Sequence, residues 1–158
     1  MPSIPVHTDG LGAFRLGARL ETAARQVAAL DRAALMLGPG CDTRDQSVVT
    51  VVVEGLPMTV MAMANTRGRI EEVVASAPHE GPAVSEAVCQ SRALHWAQAL
   101  SPRLGGGQPA APLAHGAARV GKIRFAREAW VEARWFPGGR SCDLSLHFSP
   151  RHPPLAVR

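Results

Sequence analysis

The 158-residue chain has no tyrosine, only three tryptophans and four phenylalanines. Each ring therefore weighs more as a marker of core or site than it would in an aromatic-rich chain. Lysine is nearly absent as well. Sixteen of the 17 basic residues are arginine, and with abundant alanine and glycine this reads as the coding bias of a GC-rich genome. No apolar run approaches the roughly 20 residues that span a bilayer, which excludes a transmembrane helix. The opening MPSIPVHTDGLGAF lacks the basic and apolar regions of a signal peptide. The expected compartment is the cytoplasm, with no membrane partner.

Cysteine is scarce too. Cys41, Cys89 and Cys142 form no C-x-x-C pair and no metal-ligand spacing. An odd count without an export signal argues against a disulfide framework. Three packed or surface thiols are the expectation, and a redox pair among them is the functional alternative. Catalytic signatures are missing: there is no GxSxG, P-loop, HExxH or GxGxxG. PRLGGGQP has the glycines of a phosphate loop but no following Lys-Ser/Thr. Glu71 and Glu72 are neighbours that would diverge on a helix, so they read as a solvated edge. His147 and His152 are five apart across Ser-Pro, a poor metal pair. No catalytic residue and no metal ligand is assigned, and any cofactor is left open.

What is present is a chain 46% hydrophobic and 19% charged, enough for one core. The reading is a single domain over 11–150, a flexible arm over 1–10 and a frayed tail over 151–158. The net charge of +4 is uneven. Residues 1–117 carry 9 basic and 10 acidic side chains, whereas 118–158 carry 8 and 3. A basic face on the last third follows, either merely solvated or facing an anion.

Leu16, Leu20, Ala23, Val27, Leu30, Ala34 and Leu37 recur at alternating spacings of four and three. They predict a helix over 11–37 that ends at Gly38-Pro39-Gly40. The narrow stripe suits either packing on the chain's own sheet or a dimer seam. Residues 47–64, SVVTVVVEGLPMTVMAMA, read as a hairpin turning at EGLP. Ile70, Val73, Val74 and Ala77 predict a helix after Asn65, ended by Pro78. Pro82 then opens a short helix, with His79 and Glu80 as its caps. ALHWAQ, 93–98, reads as a strand, and 101–112 as a long Gly/Pro-rich loop. The stretch 119–127 fits a strand better than a helix. Trp130 to Phe136 and Ser141 to Ser149 form a last hairpin. On its first arm Val131, Ala133 and Trp135 take the core side. Trp130, Glu132, Arg134 and Phe136 take the other, which leaves Trp130 exposed as a contact residue. The fold class is α+β: a central antiparallel sheet with packed helices.

Four pieces together resemble a GAF domain, of the kind found in actinobacterial GAF-ANTAR regulators. They are SVVTVVVEGLPMTVMAMANTRGRIEEV, HEGPAVSEAV, LHWAQ and GGRSCDLSLHFSP. No ANTAR-like helical pattern follows residue 150. The resemblance implies that the Glu80-Gly81-Pro82 turn leads into the wall of a ligand cavity. With Trp96 and Trp135 this turn is the candidate ligand-binding set. Where the family pattern has Gly-Glu-Gly-Pro-Cys, this chain has His79 and Ala83 at the ends, so no thiol stands there. The expected function is a non-enzymatic regulatory domain that binds a small molecule or a protein partner and forms a homodimer through the 11–37 helix and Trp130. Two rivals belong to other classes. One is a GAF-fold thiol enzyme of the free methionine sulfoxide reductase type, whose cysteine set this chain does not reproduce. The other is a nucleic-acid-binding module on the basic last third, where basic and aromatic residues interleave. Nucleic acid is the less expected partner.

Overall fold

The structure is a computed structural model that describes residues 1–31, 35–77, 82–83, 85–125 and 128–150. The segment expected to be a loose arm is packed. β1 (Ser3–Ile4) pairs in parallel with residues 52–53. β2 (Val6–His7), β3 (Gly10–Leu11) and β4 (Phe14–Arg15) form a small antiparallel sheet. Ile4, Val6, Leu11 and Phe14 are buried. Two tight reversals within ten residues carry no helical or long-strand period, so nothing local marks this segment as ordered. Apolar burial holds it in place.

α1 (Leu20–Asp31) is shorter than the expected helix. Residues 10–11 and 14–15 lie in strands instead, and β5 (Leu35–Pro39) follows as a further strand. Leu20, Ala23, Ala24 and Val27 are buried against the chain's own sheet. From Leu20 to Val27 the stripe is therefore an internal packing face, the alternative to a dimer seam that the spacing allowed. Leu30 and Leu37 of the same stripe are exposed.

β6 (Asp45–Val53) and β7 (Leu56–Ala64) form the expected hairpin, turning at Glu54-Gly55 with Gly55 at φ 81°. β8 (Ile70–Ser76) replaces the helix expected after Asn65. The reason is a β-bulge. Met63 opposes Glu72 but Ala64 opposes Ile70, so the register skips Glu71, the extra residue of the bulge. The bulge puts Ile70 and Val73 on the same buried side. Their spacing of three imitated a helix.

α2 (Glu86–Leu104) begins at Ser85, whose Oγ accepts the Val88 N–H at 3.2 Å. It runs through 93–98, which corrects the expected strand, and through Pro102, which corrects the start of the expected loop. Cys89, Ala93, Trp96, Ala97, Leu100 and Leu104 are its buried face. Pro102 has no N–H to give to the Gln98 carbonyl. The Ser101 hydroxyl donates to that oxygen at 2.8 Å instead.

β9 (Gln108–Pro109), β10 (Leu113–His115), β11 (Ala118–Arg124), β12 (Ala129–Phe136) and β13 (Ser141–Phe148) complete the chain. The last hairpin and the strand over 119–124 are as expected. The main sheet runs β1-β6-β7-β8-β13-β12-β11-β10, with β5 also on β6 and β9 also on β11. Every pairing but the β1–β6 one is antiparallel. The class is α+β, dominated by the sheet. Both helices share one buried core with Val49, Val51, Val60, Val73, Val131 and Leu146. They therefore lie on the same face, and no described helix lies on the other.

Candidate binding face of the sheet

Of the expected ligand set, Glu80 and Gly81 lie outside the described residues, as do His79 and the tail over 151–158. Pro82 is exposed and bridges to Ser141, and the Ala83 N–H donates to the Arg140 carbonyl at 2.9 Å. Trp96 and Trp135 are only 6% and 7% exposed and belong to the helix–sheet core. The indole N–H of Trp96 has no hydrogen-bond partner among the described residues. Trp130, expected at the surface, is also buried at 7%. It is therefore not the exposed contact residue that the strand pattern implied.

The uncovered face has a pattern that no single strand shows. Register places Val48 opposite Met61, Met61 opposite Val74, Val74 opposite His147, His147 opposite Trp130 and Trp130 opposite Arg124. One row thus crosses six strands and grades from aliphatic to cationic. Beside it, Ser145 faces Glu132 and Glu132 faces Lys122.

Glu132 is the centre of the charged half. Its side chain is 6% exposed and is met from three strands. The Trp130 indole N–H donates to Oε1 at 3.0 Å, and Arg134 Nε donates to Oε2 at 3.1 Å. Lys122 Nζ lies 3.6 Å from Oε1, and His147 Nε2 lies 3.6 Å from Oε2. Burial pushes the Glu132 pKa up. His147, the indole N–H, Arg134 and Lys122 outweigh it and hold the carboxyl below its ordinary value. For His147 burial wins: its pKa is lowered although Glu132 and Glu72 pull it up. The imidazole stacks on Trp130 with centroids 5.0 Å apart, and Lys122 Nζ sits 5.7 Å from the indole centroid. These neighbours bury Trp130 without a covering helix. Arg124 differs from Lys122 and Arg134 on this face, because its Nε is buried without a hydrogen-bond partner among the described residues. Burial lowers its pKa.

The opposite corner is acidic. Arg44 meets Asp42 at 2.6 Å, Glu71 at 3.2 Å and Glu72 at 3.2 Å. Glu71 and Glu72 were expected to diverge on a helix. The bulge lets both carboxylates reach one guanidinium.

Chemically, the charged half holds and orients charge. Ser145 Oγ lies 2.7 Å from His147 Nε2, the same nitrogen that Glu132 approaches. A hydroxyl–imidazole–carboxylate relay places its acid and its hydroxyl on different ring nitrogens. The cysteines correct another expectation. Cys89 of α2 and Cys142 of β13 form a disulfide with Cα atoms 5.5 Å apart, both buried, and Cys41 is the exposed free thiol. Buried sulfurs do not suit thiol chemistry on a substrate. A separate cleft of about 250 Å³ lies beside the start of α1, lined by Arg19, Glu21, Leu37 and Asp45 among others.

Period-two alternation was enough to place Trp130, Glu132 and Arg134 on one face and His147 on a polar face. It could not show that β8 and β13 pair, and so could not join Met61 and Val74 to them. Comparison with family models, characterised proteins and solved structures finds no match for this chain.

Proposed function

We propose that the chain is a non-enzymatic regulatory domain that acts by binding, with the uncovered sheet face as its binding surface. The observation behind this is the row from Val48 to Arg124. It leaves half-buried aliphatic side chains, and an arginine whose Nε has no hydrogen-bond partner among the described residues, on a broad face that no described helix covers. Surfaces of mixed apolar and charged character are what recognition of a partner uses. A GAF-like regulatory domain has the same general plan, an antiparallel sheet with packed helices. Two pieces that carried the resemblance, 70–76 and 93–98, nevertheless take other structures here.

Hydroxyl-radical footprinting tests this reading, comparing the purified protein with the protein in extracts of its own cells. Met61 and His147 should be protected in the extract. Protection confined to the helix face, or to the cleft beside Arg19, would overturn the proposal. Native mass spectrometry of the same material would report bound small molecules and the number of copies together.

A further inference from the structure

We infer that the occupant of the open face is a polypeptide segment with an acidic end and an apolar end, lying across the strands from β11 to β7. The inference rests on the face being the binding surface proposed above.

The acidic end is called for by Arg124. A guanidinium whose Nε is buried without an acceptor among the described residues carries an uncompensated desolvation cost. A carboxylate is its natural complement, because the planar fork can donate two parallel N–H bonds to the carboxylate oxygens. Glu132 does not serve, since it is already bound by Arg134 and Trp130 and paired with Lys122.

The apolar end is called for by Met61 and Val74, which lie half-buried in the same row. Polarity follows from the row itself, which has Arg124 on β11 and Met61 on β7. The acid therefore points to β11 and the apolar residues to β7. Four inter-strand steps of about 4.8 Å make this roughly 19 Å. About six extended residues, or about a dozen helical ones, cover that distance.

A single-stranded nucleic acid fits less well. It needs open aromatic faces for its bases, and Trp130 is 7% exposed with its ring against His147. The Glu132 carboxylate sits in the path of a phosphate chain, and Arg124 is the one fixed charge in the row from Val48 to Arg124.

The test is selection from a displayed library of random peptides about a dozen residues long on the immobilised protein. Anisotropy of the enriched peptides, of labelled oligothymidylate and of vesicles of anionic phospholipid follows. Enriched peptides should separate Asp/Glu from Leu, Ile, Val or Phe. Arg124→Glu and Met61→Asp should each weaken them by about tenfold or more. Peptides with Arg in place of Glu should regain affinity for Arg124→Glu, which shows that this variant is folded. Enrichment without acidic bias, or binding untouched by both variants, overturns the inference. Oligothymidylate or vesicle binding that Arg124→Glu abolishes, with no such peptide, overturns the polypeptide but leaves the face as a binding surface. No probe sensitive to either variant overturns both.

Discussion

The imidazole of His147 lies parallel to the indole of Trp130, with 8° between the planes. The two residues are direct partners across β12 and β13. The charged groups around that imidazole are Glu132 and Arg134 on β12, Lys122 on β11 and Glu72 on β8. Burial favours the neutral ring, so the folded protein resists protonation at His147. Its contribution to stability is therefore complete above the ordinary pKa of about 6.5 and is lost as pH falls below it. Glu132, also lowered, extends the loss further into acid. Urea midpoints should be level above neutrality and decline on acidification. His147→Gln should flatten the decline between about pH 7 and 5, leaving the part due to Glu132. A midpoint that rises on acidification would contradict the assignment.

The Cys89–Cys142 bond joins α2 to β13 across 53 residues of chain. Closing a loop of that length restricts the unfolded chain, and its removal should cost about 2–4 kcal/mol. The Cys89→Ala/Cys142→Ala double variant should show this loss in chemical denaturation, with no further loss on adding reductant. In protein taken directly from cells, alkylation without reduction should label Cys41 alone. Labelling of all three cysteines would mean that the native compartment keeps the pair reduced.

Leu20 is 3% exposed at the start of α1, in the core shared with the sheet. Leu20→Glu should bury an unpaired carboxylate and destabilise the fold by about 3–5 kcal/mol, read from thermal or urea unfolding. Clean dissociation to folded monomers, seen by light scattering, would instead restore the dimer seam that the spacing suggested.

A Cβ on Gly10 would overlap the carbonyl oxygen of Phe14 and lie 2.7 Å from the Arg15 Cα, and the residue has φ 158°. These obstacles are backbone atoms, which cannot swing away. Gly10→Ala should cost about 1–3 kcal/mol and raise amide exchange over residues 3–15. A neutral outcome would mean that the N-terminal segment contributes little to the fold. At Gly121 the obstacle is the Gln90 side chain, which can move, so Gly121→Ala should be milder.

Much of the sheet was legible because alternation is a local property. The hairpins at 45–64 and 129–148 follow from β-rich runs broken by turns, and the inward set Val131, Ala133 and Trp135 follows from a period of two. Where a local rule was broken by a tertiary device, the reading failed. The bulge at Glu71 changed the period of β8 from two to three and made a strand look helical. The Ser101 hydroxyl stood in for the missing proline N–H and let α2 pass a residue that reads as a breaker. At the N-terminus no period exists to read, and the segment is ordered only by what it packs against.

The binding face shows the same division. Alternation along β12 and β13 alone determined that Trp130, Glu132, Arg134 and His147 stand off the core, because a strand's pleat sends neighbours to opposite sides whatever surrounds it. Only the tertiary structure decided that β8 lies against β13, that Lys122 and Arg124 arrive from β11, and that neither helix covers the result. Strand order is set by which long-range pairing buries the most apolar surface, a property of the whole chain. The charges it gathers around Glu132 come from strands that no local pattern connects.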